Sequence, residues 1–228
     1  MFEFTRKLAV VLLALALVFA AVGCGKKDAA GDGTVAGGNV PLVEEEISSF
    51  EYMDTAGGVM IRKYIGTNTD VVIPSQLDGK AVVMIDDYAF DKSKLLTSIV
   101  IPDSVVGIGR GAFLACESLV EITIPDSVTS IASSAFYGCT SLESIAMPDS
   151  VMSIDAYTFS RCTSLVEIVI PGSVKNIEYE AFEGCTLLES ITIPDSVESI
   201  NDYAFRYCES LSADSKQQIL QINPNAKF

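Results

Sequence analysis

Apolar side chains return along this chain every 23 residues. In the copy that starts at Ile122 they are Ile122, Ile124, Val128, Ile131, Ala135, Phe136, Cys139 and Leu142. Copies in the same register start at Ile99, Ile145, Ile168 and Ile191. Pro102, Pro125, Pro148, Pro171 and Pro194 mark the beat. Within each copy the opening Ile-x-Ile alternates in–out–in, the pattern of a short strand. Proline then ends the strand, because it has no N–H to give to a ladder. Asp-Ser after it suits a turn. The Ser134–Cys139 stretch predicts one helical or 3₁₀ turn, with Gly138 and Gly184 opposing anything longer. One such unit cannot bury eight apolar side chains alone. Five in series predict a β-rich repeat solenoid with short parallel strands, each side chain lying on its twin about 4.8 Å away.

The ends of the chain depart from this period. Residues 1–23 pattern as an export signal: Arg6 and Lys7, then the apolar run Leu8–Val22, too short to span a bilayer. Ala21-Val22-Gly23-Cys24 resembles the lipobox of bacterial lipoproteins, which implies lipidation at Cys24. Residues 24–48, rich in Gly, Ala and acidic side chains, predict a flexible tether. Residues 49–70 predict a β-hairpin, Phe50-Glu51-Tyr52 and Val59–Tyr64 around the turn cluster Asp54–Gly58, that covers the open end of the stack. The solenoid is assigned to residues 71–211, about six repeats. Its first repeat is irregular: Ile73-Pro74 opens it, and five extra residues around Asp78-Gly79 predict a loop. Residues 212–228 predict a C-terminal cap with a short helix, Asp214–Ile222, stopped by Asn223-Pro224.

Composition narrows the chemistry. The 228 residues carry a net charge of −15, and Ile99–Leu211 holds 16 acidic against 4 basic side chains. Such a surface repels phosphate backbones and argues against nucleic-acid partners. There is no histidine, so the commonest general base and metal ligand is missing.

Several rows of residues invite chemistry. Cys116, Cys139, Cys162, Cys185 and Cys208 could be buried thiols filling a small apolar site, neighbouring disulfides, or metal ligands. The first reading fits best. Parallel stacking holds Cβ atoms about 4.8 Å apart, wider than the ~3.8 Å of a disulfide, and does not converge on a point. Phe90, Phe113, Phe136, Phe159, Phe182 and Phe205 form a second structural ladder. Asp103, Asp126, Asp149 and Asp195 could bind calcium but skip the copy with Gly172; water-facing turn residues explain them better. Ser104, Ser127, Ser150, Ser173 and Ser196 define the repeat rather than break it, unlike a catalytic nucleophile. Acidic pairs such as Glu178 and Glu180 fit a solvated face. No catalytic, metal or cofactor site and no small-molecule substrate is therefore expected. The outward positions of the strands, Val100, Thr123, Ala146, Val169 and Thr192 with Glu121, Ser144, Glu167 and Ser190, form the candidate protein-binding strip.

The pattern I-x-I-P-D-S-V-x-x-I-x-x-x-A-F-x-x-C-x-S-L resembles the BspA-like leucine-rich repeats over residues 71–211. The resemblance implies a right-handed, curved solenoid with its sheet on the concave side, displayed outside the cell and involved in adhesion or in binding host or matrix proteins. The expectation is a membrane-anchored surface lipoprotein that binds an extracellular or cell-surface protein. The alternative is a structural envelope protein or spacer without a specific ligand.

Overall fold

A computed structural model describes residues 44–228. The expected export signal, the expected lipidation site Cys24 and the tether expected up to residue 43 lie outside the described residues. Residues 44–48, expected as tether, instead join the fold. Glu44 bridges Val72 in parallel fashion, and the Glu45 N–H donates to the Val72 carbonyl at 2.9 Å. The buried Glu45 carboxylate accepts from Asn68 Nδ2 at 2.8 Å. A 3₁₀ turn, Ile47–Ser49, then leads into the hairpin.

Strands β1 (Phe50–Thr55) and β2 (Gly58–Tyr64) pair antiparallel. Each coil that follows contributes to two rows of short strands, except the one starting at Ile145, which contributes only to the second. The first row carries the Ile-x-Ile segments: β3 (Asp70–Val72), β6 (Ser98–Val100) and β8 (Glu121–Thr123) in one sheet, β11 (Glu167–Val169) and β13 (Ser190–Thr192) in another. The second row continues the hairpin: β2 pairs with β5 (Lys80–Ile85), then β7 (Gly107–Ile108) and β9 (Ser130–Ile131). β10 (Ser153–Ile154), β12 (Asn176–Ile177) and β14 (Ser199–Ile200) form a separate sheet. Pairing between coils is parallel and in repeat register, Ile99 against Ile122 and Ile177 against Ile200. The insertion in the first repeat is not a loop. β4 (Gln76–Leu77) and β5 form a tight hairpin, because Asp78 and Gly79 both adopt positive φ, as a two-residue turn with the right twist requires.

The third side of each coil is where the helical turn was expected. Left-handed residues recur four apart instead: Ser134 with Gly138, Tyr157 with Arg161, Glu180 with Gly184. Backbone N–H groups then alternate in direction. Ala135, Tyr137 and Cys139 donate to carbonyls three residues back, while Ser134, Phe136 and Gly138 donate to Ala156, Thr158 and Ser160 of the next coil. A helix would spend all of its N–H groups on itself and leave nothing for the neighbouring coil. A left-handed non-glycine residue costs about 1–3 kcal/mol, which the inter-coil bonds offset.

The interior is a set of columns. The six phenylalanines are fully buried and stack ring on ring at 5.0–5.5 Å. Tyr64 of the hairpin closes the column at 5.2 Å from Phe90. Fully burying one Phe contributes about 1.5–3 kcal/mol, and ring pairing adds about 0.5–1.5. At the other end, helix α1 (Ala213–Ile222) is capped by Ser212 Oγ. Its Ser215 Oγ and Gln218 Oε1 accept from the N–H groups of Ile191 and Ile193, and Asn223 Nδ2 donates to the Ile200 carbonyl. Side chains thus seal the strand edges of the last coil.

One junction breaks the pattern. The copy at Ile145 was expected to open with a strand like the others, but Ser144–Met147 forms none, and β9 does not pair with β10. Ala146 and Met147 stand where other copies have Val or Thr followed by Ile, residues that favour strands. The coils starting at Ile122 and Ile145 therefore meet across a seam. It is held by the turn-side bonds, the phenylalanine stack and Ser150 Oγ, which donates to the Val128 carbonyl. The amides of Glu143, Met152 and Asp155 lack the inter-coil acceptors that Glu189, Lys175 and Glu178 have. They should exchange with solvent deuterium about tenfold faster or more than those counterparts, since fewer bonds must open. Equal protection at equivalent positions would mean the seam is closed.

Candidate interaction surfaces

The strip residues are carried by the first row of strands. Glu121, Ser144, Ala146, Glu167, Ser190 and Thr192 are exposed, Val169 is 60% exposed, and Val100 and Thr123 are half-buried. The structure brings them together in two groups rather than one. Val100 lies beside Thr123 in the first sheet, and Glu167 and Val169 beside Ser190 and Thr192 in the other. Ser144 and Ala146 sit between, off any ladder. Where this row starts, Asp70 accepts from Ser98 Oγ at 2.6 Å, and that bond, then those from Thr69 and Thr97, holds its carboxyl below the usual range. Glu121 and Glu167 belong to no ion pair among the described residues. This surface is built of small side chains and is mildly acidic.

The cysteines line one interior column, all five buried and free. Each thiol does something periodicity alone did not suggest. Cys116 Sγ donates to the Phe90 carbonyl at 3.1 Å, and Cys139 to Phe113, Cys162 to Phe136, Cys185 to Phe159 and Cys208 to Phe182 at 3.1–3.2 Å. Every donor stands 26 residues after its acceptor, so each thiol fastens a coil to the one before. The constant F-x-x-C spacing of the five cysteine-bearing copies was the available signal. Burial pushes Cys116 and Cys162 up to about 12, and pushes Cys139 and Cys185 well above the ordinary thiol value. The turn serines serve the same purpose: Ser127 and Ser173 donate to the carbonyls of Val105 and Val151 at 2.7 and 2.6 Å. Asp103, Asp126, Asp149 and Asp195 are exposed on separate turns. Among the described residues no group of three or more carboxylates and thiols could hold a metal ion.

A second surface was missed. The left-handed turns present Tyr88, Tyr137, Tyr157, Tyr179, Tyr203 and Tyr207, six of the eight tyrosines, together with Arg110, Arg161 and Arg206. Arg110 lies over Tyr88 at 5.3 Å with Asp87 at 3.6 Å, and Arg161 over Tyr137 at 5.6 Å with Glu183 at 3.9 Å. Arg206 lies over Tyr207 at 4.5 Å and Tyr203 at 5.8 Å, with Glu180 at 3.9 Å. Tyr157, Tyr179 and Tyr203 meet edge to face at 5.5 and 5.9 Å. These residues fall in the variable positions around Ala-Phe, which the repeat consensus averages away. Their clustering in the last three copies was the legible clue.

Known proteins agree with this geometry. The profile of the BspA type leucine rich repeat region matches residues 83–212 in six copies. A leucine-rich repeat protein of T. pallidum is similar in structure, with 31% identity and a TM-score of 0.70 over 82% of this chain and all of that one. A leucine-rich cell surface protein of Faecalibacterium prausnitzii matches at 32% identity and TM-score 0.58, over 80% of this chain and 55% of that one. A leucine-rich repeat protein of Eubacterium ventriosum matches at 29% and 0.61, over 71% and 45%. The chain thus spans about half the length of the last two. No curated protein sequence matches it significantly.

The thiol column yields a pH prediction. Folded pKa values lie above the unfolded value near 9, so the unfolded chain loses these protons first. Stability is therefore unaffected by the thiols below pH 9 and falls from pH 9 to about 12. Each fully buried thiol contributes up to about 1.4 kcal/mol per pH unit in that window. Urea unfolding should show the decline, and Cys162→Ala should flatten it by about one thiol's share. An identical slope in the variant would contradict the burial argument.

Proposed function

The chain belongs to the BspA-type leucine-rich repeat family of bacterial proteins, and on that premise we propose that it is exported, anchored by a lipid on Cys24, and displayed at the cell surface to bind other proteins. The observation that carries the reading is how the repeat divides its residues. Apart from the turn aspartates, most positions that define the repeat are consumed by the core or by inter-coil bonds, as the phenylalanine, cysteine and serine columns illustrate. The outward faces are therefore made mostly of the variable positions. Such a molecule has its chemistry on its faces, and flat faces suit protein partners better than small ligands.

Further support comes from the N-terminal sequence and from a relative. The apolar run Leu8–Val22 followed by Gly23-Cys24 suits export with lipid attachment. Among the described residues no helix is long and apolar enough to cross a membrane. The Faecalibacterium relative is itself described as a cell surface protein. For the binding region the proposal is the strip of Val100, Thr123, Ala146, Val169 and Thr192 with their flanking acidic and serine residues. The spacer alternative is separated by experiment rather than by any feature of the fold.

Cys24→Ser should abolish incorporation of a labelled fatty acid and release the protein from the membrane fraction; retained label at another residue would refute the anchor. An antibody to the repeats should label intact cells. Ala146→Lys with Val169→Lys should weaken binding of a purified surface-protein partner by about tenfold, a hot-spot-sized loss, without lowering Tm. Unchanged affinity would remove the strip from the interface, and failure to capture any partner would favour the spacer.

A further inference from the structure

Tyr157 and Tyr179 repeat a local motif without completing it. Three times on the turn face a guanidinium lies over a tyrosine ring and is held by a carboxylate: Arg110 with Tyr88, Arg161 with Tyr137, Arg206 with Tyr207. The rings of Tyr157 and Tyr179 have no cation over them among the described residues. Asp155 and Glu178 stand on the same turns and join no ion pair among the described residues. Tyr179 is 39% exposed and Tyr157 is half-buried. Aromatic rings with no cation over them and carboxylates outside any ion pair are thus present together on these turns, although Arg206 reaches the neighbouring Glu180.

We propose that this part of the turn face, centred on Tyr157 and Tyr179, is a docking surface for an arginine-bearing segment of a partner protein. The proposal rests on the protein-binding reading above and adds a second face and a partner chemistry to it. Charge complementarity selects the partner: the stretch Ile99–Leu211 has 16 acidic and 4 basic side chains, and all four basic ones are already in ion pairs. Arginine is favoured over lysine because its planar, weakly hydrated guanidinium stacks on a ring while its N–H fork reaches a carboxylate. The three internal sets show that this backbone accommodates that geometry. Tyrosine and arginine are also the residues most enriched at the centres of protein interfaces, whereas the strip consists of Val, Thr, Ala, Ser and Glu.

The test uses the full chain in detergent and a fluorescein-labelled peptide of alternating glycine and arginine, followed by anisotropy. Lysine and citrulline versions serve as probes of geometry and charge. The substitutions Tyr157→Ser and Tyr179→Ser each place a residue that the copy at Ile122 already has at the equivalent turn position, Ser134 and Ser133 respectively, so the fold should tolerate them. The arginine peptide should bind, the lysine peptide about threefold to tenfold more weakly and the citrulline peptide not measurably. The serine pair should weaken arginine-peptide binding about tenfold, while Tyr157→Phe with Tyr179→Phe stays within about threefold, because the ring and not the hydroxyl makes the contact. No binding of the arginine peptide, or binding indifferent to the serine pair, overturns the proposal. So does a loss seen only in Asp155→Asn with Glu178→Gln, which would mean diffuse attraction. A purified protein partner that still binds the serine pair fully would sink this site and leave the broader protein-binding reading intact.

Discussion

Each coil of this protein presents backbone N–H and C=O groups along the stacking direction, and every one of them needs a partner in the next coil. An unpaired buried polar group costs about 1–3 kcal/mol, so a single open edge would cancel much of a small domain's stability. The rest of the architecture answers that requirement. Outside the seam ahead of Ile145, parallel strands satisfy it on two sides, and the left-handed turns satisfy it on the third by aiming alternate N–H groups at the next coil. The thiols and turn serines add side-chain donors to carbonyls of the preceding coil. At the first coil a hairpin supplies the missing strand, and at the last a helix supplies side-chain acceptors to Ile191 and Ile193. The apolar columns then follow, because a coil in register with its neighbour necessarily places like on like.

This order of causes explains what could be read in advance. Period, column identity and both caps were legible because they depend on burial and on turn chemistry, which residue type reports directly. The Ile-x-Ile alternation and the Phe and Cys rows needed nothing more. The turn geometry was not legible. Ser134, Tyr157 and Glu180 share one left-handed conformation but no chemical trait, and Tyr157 has no intrinsic wish for positive φ. There the inter-coil bonds impose the backbone and the side chain complies. Glu45 escaped for a similar reason: an acidic, glycine-rich context masks one carboxylate that finds Asn68. The interruption at Ala146 and Met147 was written in weak strand formers, yet the surrounding consensus implied continuity.

The surface divides by the same logic. The strip inherits small side chains because its strands lie close to those of neighbouring coils, and it has few groups that could hold a partner firmly. The turn face is freer, since its residues need only tolerate a fixed backbone, and it has accumulated tyrosine, arginine and glutamate in edge-to-face and ring-over-cation contacts. Exposed ion pairs of this kind add little to folding stability. Their presence in the last three coils therefore asks for an explanation other than stability.

The junction ahead of Ile145 has a mechanical meaning. A stack pulled along its axis transmits the load through every joint in turn, and it parts where the fewest bonds share that load. Here the tension would fall on one flank of the coil, so the two halves would open like a book about the phenylalanine spine rather than unravel from an end. A stack with such a joint would part there first, before either half loses its structure.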